Sequence, residues 1–556
     1  MLLAHIRAAS VVVASPMGES SALSSSTHEI PEWNEDRTEP SHRAQPKIVR
    51  AMGMDREWWL RYVNHNLLRR KIDVRRLIIA VVVFLILSMI VFEVTHHELY
   101  RIAPFQSLSL GTNAPDDIHG QCTTWPVDED GQYTPSRAHE NSTIRLESFA
   151  PKGGWKKPEG IKIVALVFYG RKRTVDFLDC YLLQNLAANG GYLDEIRFMV
   201  HTNKEEDLEY LQDLVSRREE HYRVVESGPC EGTSFGCIWD SAVEDNTIYV
   251  KIDDDIVFIH PDAIPQLVHT RIATPHPFAV SANLVNSPLT GYEHFHVGAI
   301  HAFRPDPSKK PSHLAAESWR PSENKPFPSS SLPKLNISNL KSIDLDAEIF
   351  PERPYYGHPF LLLADDPFDL MKTPMGLNYL RSGERGMSVE TMYDAAWKSW
   401  AIASQQQYSL LKNLEENAIS RYFFGSPLEF PKNTNMSSVA SKHAAQNKGG
   451  PGAEQLYNTG YKRYNLNFVA LWGHDIKAAL PIAEDDEEDI TVTIPKRTRR
   501  PFVIDTRSVV GHRSFYPQHD GVQETDLLDR WRAFANEKIC TPQNLKKPFD
   551  KRCPGF

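Results

Sequence analysis

Three consecutive aspartates follow an apolar segment in the middle of the chain. The run Ile248–Ile252 predicts a buried strand, and Asp253, Asp254 and Asp255 come directly after it. Ionised carboxylates crowded at the end of a buried strand repel one another and lose favourable hydration. A divalent cation would stabilise such a cluster, because hard cations prefer carboxylate oxygens as ligands. The segment therefore predicts a metal site, and an acidic turn without a ligand is the alternative.

The segments around the aspartates predict the sheet that would hold them. From residue 161 onward, strand-like apolar runs alternate with segments of helical spacing. Strands are predicted at 162–168, 196–200, 224–225, 248–253 and 278–282. This alternation favours an α/β fold with a mostly parallel sheet and crossover helices. Ligands of such sheets bind beyond the carboxyl ends of the strands, where the three aspartates fall.

Polar residues with possible chemistry follow other predicted strands. They are the basic loop Tyr169-Gly170-Arg171-Lys172-Arg173, Asp475 after the apolar run 464–472, and His512 within the run 508–515. Four more follow the strand at 278–282, namely Asn283, Asn286, His294 and His296. Each has a structural alternative, since basic loops are often only solvated, an aspartate can cap a helix and a histidine can belong to the core.

Composition divides the chain into four regions. They are a largely disordered tail at 1–76, an apolar segment at 77–94, a stem with little periodicity at 95–158 and the α/β domain at 159–556. Within the domain, polar excursions are predicted at 304–345 and 432–460. Near its end, the segments 491–494 and 502–504 predict a hairpin, and a helix at 526–535 closes the domain.

The apolar segment at 77–94 has the length of a short transmembrane helix. A membrane span needs about 20 apolar residues, with a range of about 17–25. Basic residues lie mainly before it, at Arg69, Arg70, Lys71, Arg75 and Arg76. The positive-inside rule then predicts residues 1–76 in the cytoplasm and residues 95–556 in the lumen, a type II arrangement. Its shortness suits an ER or Golgi membrane.

The cysteines and N-glycosylation sequons all follow this apolar segment. The cysteines are Cys122, Cys180, Cys230, Cys237, Cys540 and Cys553, and the sequons begin at Asn141, Asn336 and Asn435. An even number of cysteines on one side of a membrane fits an oxidising lumen. The sequence-local pairs Cys230–Cys237 and Cys540–Cys553 are the first disulfides to expect. Buried free thiols are the alternative, above all for Cys180.

Overall composition limits the function classes. The 556 residues are 41% hydrophobic and 24% charged, with a formal net charge of -9. The length suffices for several average domains or for one large domain with insertions. A net negative charge argues against general nucleic-acid binding, so no nucleic-acid partner is expected.

The order of these features resembles the GT-A fold glycosyltransferases, specifically type II single-pass membrane enzymes of the fungal secretory pathway. The resemblance covers residues from about 160 to 535. It depends on the basic loop after the first strand, the Asp253-x-Asp255 element, the strand ending in Trp472-Gly473-His474-Asp475, and His512 before Ser514-Phe515. It implies a GT-A-like Rossmann-type domain that transfers a sugar from a nucleotide-diphosphate donor to a luminal glycan, glycoprotein or glycolipid.

The resemblance also implies a role for each residue. The implied metal ligands for Mn²⁺ or Mg²⁺ are Asp253, Asp255 and His512, and the implied nucleotide-sugar contacts are Tyr169, Gly170, Arg171, Arg173, Asp253 and Asp254. If the enzyme inverts, Asp475 would be the general base that takes the acceptor proton. The sequence departs from a paired acidic motif at this point, because His474 occupies the adjacent position.

Other functions stay open. A catalytically silent scaffold of the same fold is disfavoured by the intact metal-binding residue types. A glycan-binding membrane tether would not need a nucleotide site. Another metal-dependent nucleotidyl- or phosphotransferase is disfavoured because the chain has neither a P-loop pattern nor a kinase signature. The sequence does not decide whether the chain forms a homo-oligomer.

Overall fold

A computed structural model of the protein describes residues 143–225, 235–305, 321, 360–363, 369–383, 395–431 and 454–541. All of them belong to one compact unit, Asn113–Phe556. The predicted tail, the apolar segment 77–94 and the three sequons lie outside the described residues. So does most of the two predicted excursions. Within the described ranges, no helix combines the length and the apolar character that crossing a membrane requires.

A nine-stranded sheet forms the centre of this unit. Its strands are β1 (Lys162–Tyr169), β2 (Glu195–Val200), β3 (Tyr222–Val225), β4 (Thr247–Asp253), β5 (Ile256–Ile259), β6 (Ala279–Val285), β9 (Leu456–Asn458), β10 (Phe468–Trp472) and β11 (Phe502–His512). The strand order is β3-β2-β1-β4-β10-β6-β11-β5, and β9 pairs with β11. A separate small sheet joins β7 (Phe303–Pro305) and β8 (Phe360–Leu362).

The sheet is mixed, which corrects the prediction of a mostly parallel one. Strands β3, β2, β1 and β4 run parallel, as do β6 and β11. Strand β10 lies between β4 and β6 and is antiparallel to both, while β5 and β9 are antiparallel to β11. The sequence alternation could predict the parallel half, but the direction of β10 depends on the course of the long connection before it.

Helices cover the sheet on both faces. The longer ones are α1 (Lys172–Gln184), α2 (Glu205–Ser216), α3 (Ala263–Ala273), α4 (Pro288–His296), α5 (Pro374–Gly383), α6 (Trp400–Glu415), α7 (Gly473–Ala479) and α8 (Leu527–Lys538). The central strands are consequently mostly apolar, and β1, β4, β6 and β10 have almost no exposed residue. Such continuous apolar runs are typical of strands buried on both faces.

The predicted hairpin near the C-terminus is wrong. Residues Asp489–Thr493 and Ile494–Thr498 are helical, and the two predicted strands after them are one long strand, β11. Short segments rich in β-branched residues do not distinguish a strand from a buried helical turn by periodicity alone. The final helix was predicted close to its observed place.

Two long-range connections secure the ends of the unit. The last part of the predicted stem packs onto α3, where Asp262 accepts hydrogen bonds from Ser148 Oγ and Trp155 Nε1, each at 2.8 Å. A disulfide joins Cys180 of α1 to Cys540, 360 residues later. This pair corrects the expected Cys540–Cys553 bridge and excludes the alternative of a free thiol at Cys180. Cys237 is disulfide-bonded as well.

Candidate functional site

The three aspartates lie in the turn between β4 and β5, at the carboxyl end of the parallel half of the sheet. They line a cleft of about 1420 Å³. The loop after β1 contributes Tyr169, Gly170 and Arg171 to the same cleft. Two of the predicted segments therefore meet where strand ends of an α/β sheet bind ligands.

His512 reaches the aspartates from the end of β11. In the pairing of β11 with β5 it lies opposite Ile256, the residue after Asp255. Its Nε2 is 3.4 Å from Asp255 Oδ1, and both side chains are buried. Among the described residues, Asp255 Oδ1 has no hydrogen-bond partner. A buried carboxylate oxygen without a donor, facing an imidazole nitrogen, is an arrangement that a divalent cation would satisfy.

Electrostatics couple Asp255 and His512. Burial acts to raise the pKa of Asp255, but His512, Arg171 and Arg513 together lower it below its ordinary value. Burial acts to lower the pKa of His512, yet the neighbouring Asp255 raises it above its ordinary value. Each group therefore favours the charged form of the other. A metal would replace the imidazolium proton as the positive partner.

The backbone of Asn286 fixes the orientation of His512. The carbonyl oxygen of Asn286 lies 3.1 Å from His512 Nδ1 and can only accept, so Nδ1 donates and Nε2 faces Asp255. Asn286 is fully buried and has a left-handed backbone with φ 67°. Its side chain donates to the carbonyl of Arg513 at 3.2 Å and to Gln518 Oε1 at 3.1 Å. Strained, buried residues of this kind cluster at functional sites.

The basic loop after β1 engages Asp254. Gly170 N donates to Asp254 Oδ2 at 2.9 Å, and Arg171 Nη2 donates to Asp254 Oδ1 at 2.7 Å and to Asp255 Oδ2 at 3.1 Å. A Cβ at position 170 would lie 3.3 Å from Asp254 Oδ2, so glycine allows the close approach. Burial raises the pKa of Asp254, and Arg171 opposes that shift.

The remaining residues of this loop have different surroundings. The hydroxyl of Tyr169 donates to the carbonyl of Asp207 at 2.6 Å. The carbonyl of Arg173 accepts from Arg532 Nη2 at 2.9 Å. Arg171 is thus the loop side chain with the clearest orientation toward the aspartates.

Asp253 is held by two residues that sequence reasoning did not identify. Lys251 forms an ion pair with Asp253 Oδ1, and Asn467 Nδ2 donates to Asp253 Oδ2 at 2.7 Å. In the sequence, Lys251 is surrounded by apolar residues of β4 and gives no sign of its role. Asn467 precedes β10, and the antiparallel direction of β10 brings Asn467 next to Asp253. The structure therefore brings Asp255 and His512 together, while Asp253 is paired elsewhere. No set of three His, Cys, Asp or Glu side chains in the described ranges is arranged to hold a metal.

Asp475 lies at the other edge of the sheet. Because β10 is antiparallel to β4, Trp472 pairs with Ile248, five residues before Asp253. At about 3.3 Å per residue, this separates the two strand ends by roughly 16 Å. Asp475 instead accepts from Arg271 at 2.7 Å and from both terminal nitrogens of Arg500, at 2.6 and 2.7 Å. The structure therefore does not support the predicted role of Asp475 as a general base, and places it in a buried ion-pair cluster.

Asn283 and His294 have a structural role. His294 Nε2 lies 2.8 Å from Asn283 Oδ1, and both residues are fully buried. Asn283 Nδ2 also donates to the carbonyls of Tyr422 and Thr506. These contacts fit the hydrogen-bonded loop that was the alternative interpretation.

The walls of the cleft differ in character. One wall carries His201 and Phe235, whose rings are 4.5 Å apart. Another carries four acidic residues, Glu484, Asp485, Asp486 and Glu487. Trp397 also lines the cleft and is 38% exposed, which is unusual for a tryptophan. The cleft therefore offers aromatic surfaces as well as carboxylates.

Comparisons with known proteins give limited information. No family model and no curated protein sequence matches the chain. Among solved structures, glucosyl-3-phosphoglycerate synthase from Mycobacterium tuberculosis with Mn²⁺, UDP-glucose and phosphoglyceric acid is 16% identical over 26% of this chain and 52% of that chain, with a TM-score of 0.19. The same enzyme with phosphoglyceric acid is 16% identical over 26% and 56%, with a TM-score of 0.20.

A third neighbour is 4-diphosphocytidyl-2C-methyl-D-erythritol synthase from Anaerococcus prevotii. It is 14% identical over 23% of this chain and 56% of that chain, with a TM-score of 0.17. The alignments span about half the length of each neighbour. Overlaps of this size carry no argument about function, so the proposal below depends on the site and on the order of its residues.

Proposed function

We propose that this protein is a metal-dependent glycosyltransferase that moves a sugar from a nucleotide-diphosphate donor to a glycan, glycoprotein or glycolipid. One observation carries the proposal: Asp255 and His512 converge at the carboxyl end of the sheet, where a buried Asp255 oxygen faces the imidazole nitrogen at 3.4 Å and accepts no hydrogen bond from the described residues. The cleft has ample volume for a donor and part of an acceptor, since ligand pockets typically measure about 300–1,000 Å³.

Asp255 and His512 would hold the cation, with Mn²⁺ favoured because imidazole and carboxylate ligands suit it. Two protein ligands are enough when substrate phosphates supply the others, as in many sites for magnesium-bound nucleotides. The bound ion would act as a Lewis acid that offsets the charge developing on the leaving diphosphate. This use requires no third protein ligand and therefore fits the pairing of Asp253 with Lys251 and Asn467.

The surrounding residues would orient the donor. Arg171 and Gly170 hold Asp254 in place beside Asp255. Asp253 and Asp254 line the cleft and would contact ribose or sugar hydroxyls, because a carboxylate oxygen can accept more than one hydrogen bond. His201 and Phe235 offer a surface on which a nucleobase could stack. An inverting reaction would also need a base, and the acidic wall supplies Glu487, whose pKa is raised by burial.

We further propose a type II orientation with this domain in the Golgi or ER lumen. The apolar segment 77–94 and its basic N-terminal flank support the orientation. The disulfide between Cys180 and Cys540 supports an oxidising compartment.

Turnover of a panel of nucleotide sugars by the purified full-length chain tests the proposal. We expect Mn²⁺-dependent hydrolysis or transfer with one donor, abolished by chelation and reduced at least about a hundredfold in Asp255→Ala, since that variant removes a metal ligand. Asp245→Asn is the matched control, because this exposed carboxylate precedes β4, at the opposite end of that strand from Asp253. A folded protein that binds no donor in Mn²⁺ would favour a silent scaffold or a glycan-binding tether. Metal-dependent cleavage of nucleotides without sugar transfer would favour a nucleotidyl- or phosphotransferase.

A further inference from the structure

Arg513, the residue after His512, has an unusual buried guanidinium. It is 2% exposed, and its Nε and Nη2 atoms have no hydrogen-bond partner among the described residues. Its hydrogen bonds to the described residues involve the main chain: N donates to the carbonyl of Asp255 at 2.9 Å, and the carbonyl accepts from Asn286 Nδ2 and Gln407 Nε2. A guanidinium has five N–H donors in a fixed fork, and leaving them unpaired inside a protein is costly. A buried guanidinium without hydrogen-bond acceptors calls for an explanation, and a bound anion that accepts from it is one.

The neighbours of Arg513 are mainly cationic. Arg173, Arg171 and Arg532 are the cations that act on Arg513, and the Asp255 carboxylate opposes them. Arg513, Arg171 and Arg173 act in turn on His519, where burial and their charges lower the pKa to about 4 and so favour the neutral imidazole. Positive charges held this closely repel one another in the absence of an anion.

Further unpartnered polar atoms lie on the same short segment of chain. They are Ser514 Oγ, which is buried, and His519 Nδ1. The guanidinium is a donor only and the serine hydroxyl can donate, whereas four acidic residues line another wall of the cleft.

We propose that Arg513, Ser514 and His519 form a subsite that binds a phosphoryl oxyanion beside the Asp255–His512 pair. The planar fork of an arginine suits the paired oxygens of a phosphate, and a serine hydroxyl can donate a further bond. The subsite adjoins the cleft through Asp255 and Arg171, which both line it. The inference rests on the proposed function. Its ligand is either the diphosphate of the donor or a single phosphate on the acceptor.

The test is anion binding by the full-length chain in EDTA, measured by calorimetry and as an upward shift of Tm. Inorganic pyrophosphate and inorganic phosphate are the probes, at low ionic strength. We expect Arg513→Met to weaken binding at least tenfold, while Ser514→Ala weakens it less. Arg507→Gln is the control, because Arg507 lies on β11, the strand that ends just before Arg513, and bonds to Glu454 and to the carbonyl of Phe149.

Stability separates a binding role from a structural one. If Arg513 awaits an anion, Arg513→Met keeps or raises the Tm of the unliganded protein, because it removes an unpaired buried charge. A lower Tm for this variant, with anion binding unchanged, would overturn the proposal. So would a wild-type protein that binds neither anion in EDTA.

The two probes distinguish the sources of the phosphate. A tenfold preference for pyrophosphate assigns the subsite to the donor diphosphate, and equal binding of both probes assigns it to a single phosphoryl group. The outcome is separable from that of the proposed function, because it is measured without metal and without a sugar donor. Mn²⁺-dependent turnover with no anion binding in EDTA would leave the transferase proposal intact and refute this subsite alone.

Discussion

At the residue scale, the sequence could predict that the aspartates and His512 lie close together, because residue types that bind metals are recognisable in it. Three adjacent carboxylates after an apolar run have few stable environments, so their type and place carry information. Lys251, Asn467 and Arg513 were not predictable in the same way. Their roles depend on which strand lies beside β4, and a single lysine, asparagine or arginine has many ordinary uses in a sequence.

Asp475 shows the limit of the same reasoning. An aspartate after a buried strand suggested a catalytic base, but the sheet places it beside the buried Arg271 and the partly buried Arg500. We expect Asp475→Asn to lower the free energy of unfolding by about 3–5 kcal/mol, because it leaves Arg271 and Arg500 without their counter-charge. Mn²⁺ binding should not change. Urea unfolding and calorimetry measure the two effects, and a variant of full stability with lost turnover would restore the catalytic assignment.

Asn286 is expected to act through His512. Asn286→Val forces a β-branched residue into left-handed backbone, so the carbonyl that fixes His512 should move. We expect Mn²⁺ affinity to fall about tenfold or more, whereas Asn286→Gly, which tolerates φ 67°, should stay close to wild type. Asn417→Val is the control, because Asn417 has φ 54° at a remote position. Equal loss of Mn²⁺ affinity in both valine variants would contradict a positioning role.

Asp255 and His512 are expected to contribute to the free energy of unfolding with opposite dependences on pH. His512 has a pKa raised above 6.5, so its stabilisation is complete below pH 6.5 and is lost as pH rises through the raised value. Asp255 has a pKa lowered below 3.8, so its contribution is complete above pH 3.8 and is lost on further acidification. In EDTA, the difference in unfolding free energy between wild type and His512→Gln should therefore shrink above pH 6.5. Mn²⁺ binding to wild type should tighten over the same range, because the imidazole must lose its proton. A stability difference that stays constant from pH 5 to 8 would contradict the pairing.

At the scale of elements, local pattern predicted the first half of the domain better than the second. Strands β1, β2 and β4 and helix α1 follow one another with short connections, so alternation in the sequence reports their order. Strand β10 returns after long connections and enters the middle of the sheet in the antiparallel direction. No local signal fixes that choice, and it determines the positions of both Asn467 and Asp475.

The disulfide between Cys180 and Cys540 connects α1 to the end of α8. Sequence spacing favoured nearby partners, but the fold brings together residues from its two ends. We expect the Cys180→Ser, Cys540→Ser double variant to lose about 2–4 kcal/mol of unfolding free energy. Thermal unfolding of wild type with and without reductant measures the same effect independently. An unchanged Tm in both experiments would show that the bridge does not stabilise the fold.

At the scale of the whole molecule, the charge of the cleft argues for a cation. Seven acidic and four basic side chains line it, so an anionic donor entering alone would meet a net negative wall. A divalent ion between Asp255 and the donor reverses that local repulsion. The positive charges of Arg513, Arg171 and Arg173 would reduce the repulsion of the donor further. The net negative charge of the cleft therefore predicts metal dependence, as do the two proposed ligands Asp255 and His512.

The most direct measurement is calorimetric titration of a nucleoside diphosphate into the full-length chain with and without Mn²⁺. Wild type, Asp255→Asn and His512→Gln are compared, with Asp245→Asn as the control, because this exposed carboxylate precedes β4 at the opposite end of the strand from Asp253. We predict binding that strengthens at least tenfold with Mn²⁺ in wild type and in the control, and that loses this gain in the other two variants. Equal Mn²⁺ enhancement in all four proteins would contradict a metal-linked nucleotide site at Asp255 and His512.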